Sequence, residues 1–182
     1  MSQIAKTTVD GEGYVAFRGS SLSETELKDI QKEFYRGVFN EKLMHLPFIH
    51  IELKCPIFVR LMFGEHGLQT LTKQDNNLQA FIPSVDMINS GKSDVDTDIQ
   101  QSIEQNTEAL LLSPKGYKLD GCDVFISNMC LPISLYNTLV VSGSLHQWLN
   151  LCNKDAPTVI KPYLREIKKV LSVEFNHYVS NR

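Results

Sequence analysis

The sequence has no CxxC pair, no phosphate-binding glycine loop and no excess of positive charge. Its four cysteines, Cys55, Cys122, Cys130 and Cys152, match no zinc spacing with the histidines, so no metal is expected. Neither GxGxxG nor GxxxxGK[ST] occurs, which removes the two common nucleotide-phosphate loops. The absence of GxSxG removes the hydrolase nucleophile elbow. With 18 Lys and Arg against 21 Asp and Glu, the net charge of −3 gives no footprint for DNA or an anionic membrane. No apolar stretch approaches the roughly 20 residues needed to span a bilayer. The opening MSQIAKTTVDGEGY lacks the apolar core of a secretory signal. The expectation is a cytoplasmic chain whose cysteines are buried thiols in a reducing compartment.

What is present suits one folded unit. A chain of 182 residues with 42% hydrophobic side chains can bury a real core, and residues 1–182 are read as a single domain. Residues 1–22 form a polar N-terminal segment with a strand-like patch at Tyr14 to Phe17. Ser23-Glu24-Thr25-Glu26 is a capping-box pattern, and Leu27, Ile30, Phe34 and Val38 follow at helical spacing, so a helix is expected over 24–39. In LPFIHIELKCPIFVRLMF, Ile49, Ile51 and Leu53 alternate with His50, Glu52 and Lys54, the period of a half-buried strand. After Pro56, the run Ile57 to Phe63 fits either a strand or a helix.

Residues 64–79 read as a loop, 79–84 as a short apolar patch, and 90–98 as a flexible loop. A helix is expected from about Asp96 to Leu112, ended by Pro114 and Gly116. VFISNMCLPISLYNTLVV, divided by Pro132, reads as a helix entering a second helix at a bend. Leu145, Trp148 and Leu149 mark a short helix. Asp155 and Pro157 open a last helix with Ile160, Tyr163, Ile167, Val170 and Leu171 at core spacing.

Chemistry-bearing residues are few. His66 beside Glu65 has the composition of a general base with an orienting carboxylate, but adjacent side chains usually point apart, which favours a surface turn. His45 and His50 are five apart, a poor fit to a metal pair. His146 shares a helix with Trp148 and reads as a surface or interface residue.

Two segments carry a likeness to a known family. PFIHIELKCPIFV followed by a polar patch resembles the signature region of flavin-dependent thymidylate synthases (ThyX), where a PIFV-type run leads into an Arg-His-Arg loop. LPISLYNTLVVSGSLHQWLNL resembles that family's LPxxLY segment and the helix ending in Leu-Asn-Leu-Arg. The two pieces keep the family's order, and the likeness covers roughly residues 24–175.

The resemblance implies an α+β domain with a twisted, mainly antiparallel sheet built around 47–63 and 79–84 and packed by helices. It further implies FAD as cofactor, folate-dependent methylation of dUMP and assembly as a homotetramer. Carried over position by position, Glu65, His66 and Gly67 fall on the Arg-His-Arg loop, and His45 or His50 on an upstream histidine, as cofactor-binding residues. Gln69, Lys73, Asp75, Asn77, Asn128 and Cys152 fall in the substrate-binding stretches. Of the Arg-His-Arg loop only His66 remains. Asp75 replaces a serine, and Asn77, Asn128 and Cys152 replace arginines. Bidentate guanidinium contacts are what hold a phosphate in register, and carboxylates in their place repel it. The residues therefore imply a divergent member, viral in one reading, that binds or modifies a pyrimidine nucleotide by altered means. The alternative is a pseudoenzyme that retains the fold for regulation or for assembly with a paralogue. Direct DNA binding and membrane attachment are not expected.

Overall fold

Ile49, Ile51, Leu53 and Cys55 are all fully buried on one side of a single strand, as strict alternation with His50, Glu52 and Lys54 requires. That strand, β3 (Phe48–Pro56), is the middle of a five-stranded antiparallel sheet. In the computed structural model the described residues are 6–9, 12–23, 25–26, 29, 32, 47–73, 78–89, 97–121, 128–129 and 131–175. The other strands are β1 (Lys6–Thr8), β2 (Tyr14–Ser20), β4 (Gln69–Lys73) and β5 (Tyr136–Ser144), in the order β1-β2-β3-β5-β4. The α+β reading therefore holds, with helices on the face of Ile49 and Leu53.

The segment after Pro56 resolves as a helix, α1 (Ile57–Glu65). Strand passes into helix at Pro56, whose φ of −60° suits the entry. The first helical N–H groups lack intrahelical partners. Here Ile57 N–H donates to the Leu135 carbonyl at 3.0 Å and Phe58 N–H to that of Ile133 at 3.2 Å. The remaining helices are α2 (Val85–Asn89), α3 (Thr97–Leu119), α4 (Leu145–Cys152) and α5 (Lys161–Glu174).

Several expectations are overturned. The expected second helix of VFISNMCLPISLYNTLVV ends instead in β5, paired residue by residue with β3 from Phe48↔Ser144 to Pro56↔Tyr136. Its run Leu139-Val140-Val141 hides the alternation because Val140 stands on the outward face between the fully buried Leu139 and Val141. The expected 64–79 loop contains β4, paired with β5 from Gln69↔Ser142 to Lys73↔Thr138. Residues 79–84 contribute no strand, only an isolated bridge between Ala80 and Leu135, and 57–63 leave the sheet for α1. The helix expected to stop at Pro114 runs on to Leu119, so Pro114 deletes one backbone bond without ending it. The last helix starts at Lys161, after a turn in which the Pro157 carbonyl accepts from Ile160 N–H at 2.9 Å. For the helix expected over 24–39, the capping box is present: Glu26 N–H donates to Ser23 Oγ at 3.3 Å and Ser23 N–H to Glu26 Oε2 at 2.8 Å. Most of its body and the 90–98 loop fall largely outside the described residues.

The core lies between the sheet and α1, α4 and α5. Trp148 and Ile167 are fully buried, and Phe63 and Tyr163 nearly so. Phe63 meets Trp148 edge-on at 6.2 Å, and Phe17 of β2 meets Phe175 at 6.1 Å. Fully burying such side chains contributes about 1.5–3 kcal/mol each. This core fixes one face of the sheet, and the other carries the polar side chains of the strands among a few apolar ones.

Candidate functional site

The register sets three rows across that second face. Tyr14, Lys54, Thr138 and Lys73 form one row, Ala16, Glu52, Val140 and Leu71 the next, and His50, Ser142 and Gln69 the third. At the centre sits Glu52, whose side chain is 4% exposed. Its Oε1 accepts from Tyr14 Oη at 2.8 Å and from Arg18 Nη2 at 2.5 Å, and its Oε2 accepts from Lys73 Nζ. Burial alone raises a carboxyl's pKa, but these three donors outweigh it and hold Glu52 at about 2. Burial and the neighbouring carboxylate raise the Tyr14 phenol above its usual range. The Glu52 carboxylate raises the Arg18 guanidinium further. Two basic side chains and a protonated phenol thus share one buried carboxylate.

The neighbouring rows are also tied. His50 Nδ1 lies 2.8 Å from Ser142 Oγ, and its ring meets Phe48 edge-on. Lys54 Nζ donates to Glu12 Oε2 at 2.9 Å and to Gln79 Oε1 at 2.5 Å, and lies over the Tyr136 ring. Gln69 is exposed at the start of β4.

The Glu65-His66-Gly67 stretch is the C-terminal cap of α1. Gly67 N–H donates to the Gly64 carbonyl at 3.1 Å and Leu68 N–H to that of Phe63 at 3.1 Å, the paired bonds of a Schellman motif. Gly67 takes the left-handed φ of 69° that this motif needs. The apolar pair that accompanies it is Leu68 with Phe63, both buried. Gln147 at the start of α4 donates through Nε2 to the Gly67 carbonyl at 3.0 Å. Glu65 points to Lys154 at 3.5 Å rather than orienting His66. His66 Nε2 is buried and has no hydrogen-bond partner among the described residues.

The sequence candidates therefore divide. His50, Gln69 and Lys73 share the polar sheet face, while Glu65, His66 and Gly67 cap α1 just before β4. Asn128 is exposed. Cys152 closes α4 on the opposite, helical side, where its thiol donates to the Leu164 carbonyl at 3.8 Å. Burial pushes that thiol up to about 12, only partly offset by Lys168, so it stays protonated and unreactive at neutral pH. His45, Asp75 and Asn77 lie outside the described residues. Glu52, Arg18 and Tyr14 were not singled out from sequence. The alternation already pointed Glu52 outward, but the pairing that brings Arg18 and Lys73 to it leaves no local signal. A separate pocket of about 240 Å³ among Phe58, Phe81, Ile103 and Val159 is lined by no ionisable side chain. Among the described residues no group of three His, Cys, Asp or Glu could share a metal ion, and no helix is long and apolar enough to cross a membrane.

Taken together, the chain has an α+β fold with one helix-packed sheet face and one polar face. The same fold occurs in the crystal structure of the UMP/dUMP methylase PolB from Streptomyces cacaoi bound with 5-Br dUMP. The TM-score is 0.70 at 11% identity, over 95% of this chain and 96% of that one. The structure of the same methylase bound with 5-Br UMP gives a TM-score of 0.67 at 12% identity, over 93% and 94%. At such identities the likeness establishes the fold. No family model matches the chain, and no curated protein matches its sequence significantly.

Proposed function

We propose that this chain binds, or modifies, a pyrimidine nucleotide on the polar face of its sheet, as a divergent protein of ThyX-like fold. The observation that carries the reading is the fold shared, over nearly the whole chain, with a methylase whose structures hold 5-Br dUMP and 5-Br UMP. His50, Gln69 and Lys73 supply hydrogen-bonding groups of the kind a nucleotide requires, and His66 stands at the α1 cap beside β4. Asp75, Asn77 and Asn128 remain positions that the family resemblance assigns to substrate, as does Cys152, although its thiol packs on the helical side of the sheet, away from this face.

FAD is the cofactor the resemblance implies, and it would supply redox chemistry when bound. The feature that suits it is the buried, unpartnered Nε2 of His66, which can make one hydrogen bond to a ring heteroatom. Glu65 and Gly67 provide no cation beside it. The family's folate-dependent methylation of dUMP is therefore not part of this proposal.

A second reading, a pseudoenzyme acting through protein contacts, is favoured by the apolar surface of α3. Leu112 is 63% exposed and Leu119 88% exposed, on a helix that also exposes Tyr117. A homotetramer, or a hetero-oligomer with a paralogue, would cover such side chains. Binding of UMP, dUMP and FAD, followed by absorbance and thermal shift, tests the first reading. Light scattering of the pure chain, with a monomer as the adverse result, tests homo-oligomeric assembly.

A further inference from the structure

We propose that Arg18 and Lys73 form the phosphate subsite of this face, replacing a guanidinium clamp at the α1 cap with a cation pair assembled across the sheet. The inference rests on the nucleotide-binding reading above and adds where the anionic end of the ligand sits.

Arg18 comes from β2 and Lys73 from β4, with β3 and β5 between them. Their side chains reach across that gap because both grip the one carboxylate of Glu52. Each cation is half out of the protein, 41% and 49% exposed, while the carboxylate between them is 4% exposed. Glu52 is thus covered and its oxygens are already occupied. A guanidinium has five N–H donors and an ammonium three. Among the described residues, the side chains of Arg18 and Lys73 each make one hydrogen bond, to Glu52. Both side chains are held by a buried anion and keep about half their surface in solvent. Two cations on one carboxylate leave the cluster with a charge of +1, on a chain whose net charge is −3.

That combination suits a phosphate monoester. Arg18 can offer a planar pair of N–H donors and Lys73 a point charge, and charge-assisted bonds to phosphate oxygens are the strong ones. Glu52 positions the pair without facing the ligand. The third row, His50–Ser142 and Gln69, lies alongside with the amide and hydroxyl groups that a base or sugar needs. A tie that served only to join strands would not require both cations to keep half their surface in solvent.

The test compares dUMP, deoxyuridine and inorganic phosphate by calorimetric titration of the full chain. The wild type should bind dUMP about tenfold or more tighter than deoxyuridine, the worth of one charge-assisted bond. The double variant R18M/E52Q removes a cation together with the carboxylate it would strand, so it should still fold, and it should lose most of that preference. E52Q alone raises the cluster charge to +2 and should widen the preference. A dUMP preference unchanged in R18M/E52Q and unmoved in E52Q would overturn the subsite and leave nucleotide binding standing. Phosphate binding that depends on Arg18, without binding of either dUMP or deoxyuridine, would support the subsite and overturn the nucleotide reading. No binding of any of the three would overturn both.

Discussion

Gln147 bridges two chain reversals. Its Nε2 donates to the Gly67 carbonyl at 3.0 Å, and its Oε1 accepts from Ser144 N–H at 2.8 Å. The second contact completes the capping box of α4, in which Ser144 Oγ accepts from Gln147 N–H at 3.3 Å. One side chain thereby fixes the start of α4 and the end of α1. A Cβ on Gly67 would meet Gln147 Nε2 at 3.0 Å.

Substitution of Gly67 by Ala should therefore destabilise the protein on two counts, the left-handed backbone and the crowded Gln147 amide. The expected loss is about 1–2 kcal/mol. Urea denaturation with an unchanged m-value would show it, whereas a stable Gly67→Ala protein would contradict the cap.

Gln147→Ala should cost about 0.5–2 kcal/mol, the range for a lost N-cap partner. Gln147→Glu should recover only the capping part, because a carboxylate still accepts from Ser144 N–H but cannot donate to the Gly67 carbonyl. Chemical denaturation of the three proteins gives the comparison.

Glu52 sets an acid limit. Its folded pKa of about 2 lies below the ordinary carboxyl value of 4.5. The unfolded chain binds this proton first, so stability is full above about pH 4.5 and is lost as pH falls toward 2. With half-exposed partners on both sides, the contribution is roughly 2 kcal/mol. Thermal unfolding at stepped pH should show a decline between those values that E52Q flattens. A wild type and E52Q with parallel pH profiles would contradict the arrangement.

Cys152 should resist alkylation near neutral pH, since burial holds its thiol at about 12. Mass spectrometry after brief iodoacetamide treatment should find Cys152 unmodified in native protein and modified in urea. Rapid native modification would show that the thiol is accessible.

Much of the fold was legible because β3 and α5 each show one apolar face to one core. Ile49, Ile51 and Leu53 carry period two, and Tyr163, Ile167, Val170 and Leu171 carry helical spacing. Leu139 to Val141 carried no such mark, because Val140 sets an apolar side chain on the outward face between two buried ones, and helix and strand then look alike. The same ambiguity at Ile57 to Phe63 concealed the cap. Once α1 is a helix, Gly67 and Leu68 fall at the positions of a Schellman motif. The polar face was half legible. Alternation placed His50, Glu52 and Lys54 together, but Arg18 lies in a segment read only as polar. Its partnership with Glu52 depends on strand register, which no local pattern records.

The most direct test of nucleotide binding is the thermal midpoint of the purified chain with dUMP or UMP, against deoxyuridine as control. A ligand at 100 times its Kd adds about 2.7 kcal/mol to apparent stability, which for a chain of this size raises Tm by several degrees. The account predicts that rise with dUMP or UMP, and a smaller one with deoxyuridine. A midpoint unmoved by millimolar dUMP and UMP, in the presence and absence of FAD, would contradict it.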